Sequence, residues 1–543
     1  MQNFANTVIY GNFYTVDKKH PKAEAVAIKG GKFVYVGDAA GAKDFVGEGT
    51  KEERYENGLI LPGLVDGHAH GNLGGSKMLL MCQLNDCKTV DAIRARLKDF
   101  IEKNPEMNKI QGIGWDDATF GVEGPKAEMI DDLTDKPVML IDYGHHSYWL
   151  NSSAMKFKNI TKDTPDVADG IIIRDAEGNP TGCFREGAKI YFEDLVYHFT
   201  VEEYKKALLA YQDVFLSLGL TMTFDPMVNM DYGYENVMEA YHQLDAEGKL
   251  KLHVHGGYQV FVDRNPLPDV EHAVKLREKF KGNKFAVDHI KILLDGVIES
   301  RTAYLNEPYV DKDDNYHGML RFDFDTLTET IKKSNELGIT IHIHTIGDGA
   351  IKFALDAFEK AKTTPAQRAA LTHLQIVNPA DIDRMTKLGV IAVTNPYWFG
   401  KDGLGYPQVV SFVGEERAEK QCPMKSFFDK GVVVTQASDY PVTTEPNPLR
   451  SIQLAVMRQL PGRSETLLNG SERITIEQMI KAATFNGAYQ FKCEDTLGSI
   501  TVGKDADMVV LDSDITACAS EKITDAKVLG TMIGGEWVYT YKK

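Results

Sequence analysis

The sequence predicts an α/β chain organised as a (β/α)₈ barrel of the TIM type. To this it adds a small β-sandwich-like module formed from both chain ends and a long insertion after the first barrel strand. Three observations lead there. Eight short strand-like segments lie between residues 59 and 439, polar helix-forming stretches follow several of them, and the two ends of the chain are both rich in strand-forming residues.

The first sixty residues, including TVIYGNFYTVD and EAVAIKGGKFVYVGD, are dense in Val, Ile, Tyr and Phe and broken by Gly and Asp, as expected of short strands joined by turns. GSITVGKDADMVVLDSD and VLGTMIGGEWVYTYK near the other end have the same character. Pairing of the two ends gives a module of residues 1–60 plus 490–543. The barrel strands are expected at 59–70, 219–225, 251–260, 289–296, 339–348, 369–377, 389–396 and 431–439, with DTLTETIKKSNELG and PADIDRMTKLG among the intervening helices. Such alternation indicates parallel strands, which need crossover connections. The barrel is placed at 61–489. From His70 to Gly219 the chain runs about 150 residues, where a βα unit takes roughly 30. An inserted subdomain at about 72–215 accounts for the excess, in a position suited to a lid or specificity region.

The chain has 543 residues, 43% hydrophobic and 26% charged, enough to bury a large core. Its 61 Lys and Arg against 78 Asp and Glu give a formal charge of −17, which argues against nucleic acid as a partner. No stretch reaches the roughly 18 apolar residues of a membrane span, and the N-terminus lacks the pattern of a signal peptide. The six cysteines are scattered without a CxxC pair and are read as free thiols. A cytoplasmic protein acting on a small molecule is expected, with a homodimer as the default assembly.

Active-site groups of such a barrel sit at the C-terminal ends of its strands. Strand 1 ends in Asp66-Gly67-His68-Ala69-His70, and alternate residues share a face, so His68 and His70 can chelate one ion. Strand 4 carries Lys291, strand 5 His344, strand 6 His373, and strand 8 ends in Ser438-Asp439. Each alone is weak: an HxH or a core histidine arises readily by chance. Their joint occurrence in barrel order points to a divalent metal centre.

This ordered set resembles the amidohydrolase superfamily. LPGLVDGHAH, GIGWDD, HSYWLNS, HIKILLDGVIESRT, HIHTIGDGA and ASDYPV are similar to the branch containing N-substituted formamide deformylase, known as amidohydrolase family 3. The resemblance implies that His68, His70 and Asp439 hold one metal ion and His344 and His373 a second. It implies Lys291 as a carbamylated bridge formed with CO₂, with a single-metal site if the lysine stays unmodified. Imidazole-rich ligation with carboxylates suits Zn²⁺ best, with iron, manganese or nickel as alternatives. The implied reaction is hydrolysis of an amide or cyclic-amide C–N bond by a metal-activated hydroxide, with Asp439 as the catalytic proton carrier. Two positions depart from the branch, Phe224 where a histidine is usual and Asn395 where a glutamine is usual; both bear on the pocket.

Trp115, His146, Trp149, Arg301 and Glu186 are candidate substrate-binding residues, against structural readings as core aromatics or ion pairs. His342, two residues before His344, is expected as a buried structural histidine. Two other functions stay open: a metal-dependent deaminase of a heterocycle, which usually lacks the strand-4 lysine, and a non-catalytic regulatory protein on the same barrel.

Overall fold

The computed structural model describes all residues except 1–3, 117–118, 121–122, 143–146, 168–169, 193–194, 196–197, 230–234, 262–263, 313–314, 403–404 and 543. Eight parallel strands run in sequence order around one sheet: β1 (Leu64–Asp66), β2 (Leu220–Asp225), β3 (His253–Gln259), β4 (Phe285–Leu293), β5 (Thr340–Thr345), β6 (Ala370–His373), β7 (Ile391–Thr394) and β8 (Val434–Gln436). The seam between β8 and β1 is closed by other means. Gly67 N donates to Gln436 O at 2.9 Å, Gln436 Nε2 to Val65 O at 2.6 Å and Asp439 N to His68 O at 2.8 Å. A (β/α)₈ barrel is therefore the architecture.

The expected first strand, 59–70, is two elements. Residues Lys51–Pro62 form a strand of the terminal sheet, and β1 is only three residues long. The break falls at Gly63, where an added Cβ would lie 2.2 Å from Thr221 Oγ1. Glycine lets the backbone pass that close, so one apolar run serves two sheets.

The helices between later strands stop and start where local chemistry dictates. Helix Phe324–Leu337 is capped by Asp323, which accepts from Thr326 N, and ends at left-handed Gly338. Helix Pro379–Leu388 begins after Asn378 with proline in its first turn and ends at left-handed Gly389.

The chain ends pair in one seven-stranded sheet. Its order is Glu536–Thr540, Val528–Ile533, Met508–Leu511, Lys51–Pro62, Thr7–Tyr14, Lys22–Lys29 and Lys32–Gly37. The junction is antiparallel, with Met508 opposite Pro62 and Leu511 opposite Leu59. Phe13, Val26, Phe33, Ile60, Met508, Val510 and Met532 pack together as its core.

The chain divides into two compact units. One comprises Met1–Gly71, Gln212–Asn229 and Tyr241–Lys543, and holds the barrel and the terminal sheet. The other comprises Asn72–Tyr211 with Met230–Ala240, so a later stretch joins the inserted segment. That second unit contains a six-stranded mixed sheet, ordered Gly170–Arg174, Pro180–Glu186, Ser147–Leu150, Val138–Asp142, Ile110–Trp115 and Met81–Gln83. Among the described residues no helix is long and apolar enough to cross a membrane. The six cysteines are free.

Candidate metal centre

Strand register assembles the centre. In β4 and β5, Lys291 pairs with His342 and Leu293 with His344; in β5 and β6, Thr345 pairs with His373. Because side chains alternate along a strand, His342 and His344 share a face, with His342 one step deeper. His68 and His70 follow β1 and Asp439 follows β8, both just beyond the strands. His373 and Asp439 adopt left-handed backbone at φ 79° and 58°, a conformation that non-glycine residues hold when their surroundings enforce it.

The side chains converge. His68 Nε2 and His70 Nε2 lie 3.4 and 3.3 Å from the same oxygen, Asp439 Oδ1. The three ligand atoms lie within 4.8 Å of one another. His68, Lys291, His344, His373 and Asp439 all border one cavity of about 500 Å³, with His70 beside them. Two lone imidazole nitrogens and a carboxylate oxygen at this spacing suit a divalent cation.

The electrostatics fit the same role. Burial, with Lys291 next in importance, holds His68 well below the usual histidine range and brings His344 down to about 4. Burial and then His344 do the same to His373, which lies well below its usual range. Neutral imidazole is the form that can bind a metal. Burial also lowers Lys291, to about 7, against the pull of Asp439. Burial pushes the Asp439 carboxyl upward, but a hydrogen bond from His70 and the proximity of His373 and Lys291 leave it below its usual value.

Supporting residues orient the rings. His68 Nδ1 is 2.8 Å from His342 Nε2, and His373 Nδ1 is 2.9 Å from Asn395 Oδ1. His344 Nε2 donates to Gly296 O at 3.0 Å, leaving Nδ1 of His344 and Nε2 of His373 for an ion. Such partners fix ring orientation and tautomer. His342 is buried, as its position predicts, and Asn395 is the departure from the family's usual glutamine; their bonds to the two rings depend on contacts across the fold. Asp66 was passed over as part of the strand-1 motif, yet it accepts from the backbone N–H of His68 and of Ser438. It thereby ties the two ends of the seam together.

The proposed substrate contacts divide differently. Arg301 does not line the cavity: its guanidinium bonds Asp311 at 2.6 Å and lies 3.7 Å over the Phe412 ring. Trp115 and Trp149 are fully buried, with centroids 6.2 Å apart inside the second unit, and Trp149 Nε1 donates to Lys126 O. These two aromatics serve that unit's own core. Glu186 is exposed at the start of a 3₁₀ turn in the same unit, and His146 lies outside the described residues. The cavity instead presents Glu299, Trp398, Tyr406, Gln375, Gln408 and Gln421, of which only Glu299 falls in a stretch quoted for the family resemblance. Trp398 stacks on His373 with centroids 5.3 Å apart.

A second grouping, His255, Asp288 and His289, lies on β3 and β4 before Lys291. Asp288 receives both Nδ1 atoms at 2.6 Å, which is hydrogen-bond spacing rather than the wider convergence at Asp439.

The model for the amidohydrolase family matches residues 56–539. The chain belongs to the amidohydrolase family. Along 97% of both chains, this amidohydrolase is 25% identical to N-substituted formamide deformylase of Arthrobacter pascens. It is 29% identical to Protein LONG AFTER FAR-RED 3 of Arabidopsis thaliana, covering 98% of this chain and 91% of that one. Its fold superposes on an uncharacterised metal-dependent hydrolase of Pyrococcus furiosus with a TM-score of 0.78 and 26% identity, over 94% of this chain and 99% of that one. The His/Asp cluster on this barrel is a divalent-metal site, and the amidohydrolase is an enzyme built for metal-activated hydrolysis of a C–N bond.

Proposed function

We propose that the enzyme hydrolyses the C–N bond of a small amide or cyclic amide at a zinc centre. His68, His70 and Asp439 would hold one ion and His344 and His373 a second, with Lys291, carbamylated by CO₂, as the anionic ligand between these two sets. The observation that carries the reading is the sharing of Asp439 Oδ1 by the Nε2 atoms of His68 and His70, at 3.4 and 3.3 Å.

Divalent zinc at such a site supplies Lewis acidity toward a carbonyl and lowers the pKa of water. The chain's own groups do the rest. The Asp439 carboxylate accepts the proton of the attacking water at its oxygens and returns it to the departing nitrogen. His342 and Asn395 hold the rings of His68 and His373 in a fixed tautomer. Leu293, Val297, Ile346, Trp398 and Leu468 exclude bulk water from the cavity wall. The buried Lys291 amine, 1% exposed, becomes an anionic two-oxygen ligand on carbamylation.

The test is elemental analysis of the purified protein, wild type beside Lys291→Ala, followed by a panel of formamides, acetamides and lactams. Two ions per chain, falling sharply in the variant, support the bridged centre. One ion, unchanged by the substitution, overturns it and brings a single-metal deaminase or hydrolase forward.

A further inference from the structure

We propose that Glu299 sets the specificity of this cavity and that the substrate carries a cationic, ammonium-like group on an apolar body. The proposal rests on the hydrolase reading for the identity of the substrate bond, whereas the docking of the cation is a separate matter of cavity chemistry.

Glu299 lies in the 3₁₀ turn Ile298–Ser300 that follows β4. Among the described residues lining the cavity, it is the one ionisable acid or base besides Asp439, Lys291, the histidines and the phenol of Tyr406. The tyrosine is already committed, its hydroxyl bonding Glu419 at 2.6 Å. Gln375 and Gln421 are committed as well, to each other at 2.6 Å. The cation nearest in sequence, Arg301, takes the left-handed C-terminal position of the turn and is held by Asp311 and Phe412.

No donor from another described residue reaches the Glu299 carboxylate, and burial raises its pKa above the usual range. A half-buried carboxylate without a partner is costly, and such exceptions mark places where a ligand completes the bonding.

Gly405 lies directly beside that carboxylate and has no side chain to cover it. Gly405, at φ 58°, has open backbone beside it: an added Cβ would lie 3.0 Å from Glu299 Cγ and 3.5 Å from its Oε1. A side chain there would both strain the backbone and cap the acid. The same cavity is lined by apolar Leu293, Val297, Ile346, Val442 and Leu468 and by Trp398, whose ring stacks on His373. A bound ammonium gains a charge-assisted hydrogen bond to Glu299, and its hydrocarbon body is sheltered by the apolar residues. The charge offered is opposite to that of Arg301, the candidate substrate-binding residue, which pairs with Asp311 and does not line the cavity.

Calorimetric titration with phenethylammonium and with 2-phenylethanol tests this without turnover. The two probes share a body and differ in charge. The wild-type protein as purified should bind the ammonium about tenfold more tightly than the alcohol. In Glu299→Gln that preference should shrink to about twofold or less, with the alcohol's affinity unchanged. Glu299→Asp, which keeps the charge, should retain it. Equal affinities in the wild type overturn the proposal even if Glu299→Gln does not fold, and so does a preference that survives the glutamine variant. A protein that hydrolyses no amide but shows the Glu299-dependent preference refutes the hydrolase reading and leaves this one standing.

Discussion

Replacing His342 by phenylalanine should weaken metal binding without unfolding the protein. His68 offers Nε2 toward Asp439, so its proton sits on Nδ1 and donates to His342 Nε2 at 2.8 Å. Both residues are buried. In His342→Phe that N–H has no acceptor, at a cost of about 1–3 kcal/mol in the tautomer that binds metal. At 1.4 kcal/mol per tenfold, the ion should be held about 10–100-fold less tightly, the range found when such supporting bonds are removed. Stability without metal should change less, because metal-free His68 can carry its proton on Nε2 beside Asp439 and leave no donor unpaired. The assay is competition against a chelating dye, with thermal unfolding of the metal-free protein alongside. His342→Gln, whose amide oxygen can accept from His68, should recover part of the loss. A phenylalanine variant that binds metal as tightly as wild type would refute the reasoning.

The remaining expectations concern charge pairing, packing and the cation beside the cavity. Asp288 is held far below the usual carboxylate range, against its burial, by His255 and His289, while Asp288 raises His255 to about 10 in spite of burial. The His255 contribution is complete below its unfolded pKa near 6.5 and is lost as pH rises through about 10; that of Asp288 is present above about 4 and is lost in acid. Asp288→Asn should therefore destabilise the fold more at pH 6 than at pH 10, read from denaturant midpoints, and an equal penalty at both would exclude the ion pair. Ile60→Ala, at the junction of the two chain ends and 1% exposed, should cost about 2–5 kcal/mol, visible as a lower Tm with metal content retained. Arg301→Ala removes a partly exposed ion pair with Asp311, worth about 0–1 kcal/mol. It should leave KM for small amides within about twofold, whereas a large rise in KM would place its guanidinium on the substrate.

The candidate residues of the rim were legible in the sequence because their placement depends on local rules. The alternation of side chains makes His68 and His70 a pair, the eight strand-and-helix repeats imply a barrel, and barrel geometry then brings strand ends together. Lys291, His344, His373 and Asp439 could thus be named as candidates from position, while their roles were implied by the family resemblance. The pairing of the chain ends was likewise foreseeable from two strand-rich segments, although the register of Met508 against Pro62 was not.

Other features depended on contacts between residues distant in sequence. Gly63 divides an apolar run between two sheets because Thr221 crowds it. Trp115 and Trp149 face each other in a core of their own, and nothing in an aromatic residue's immediate neighbours says whether it will line a cavity or fill one. Arg301 and Glu299 make the same point with charge. Two residues apart at the turn that follows one strand, the cation is neutralised by Asp311 and the acid lines the cavity. The sequence alone determined the barrel, through strand periodicity and strand order, and pointed to a metal-binding rim; the class of chemistry came from its resemblance to the amidohydrolases. Only the tertiary structure decided which charge meets the substrate, because that depends on which side chains find partners across the fold.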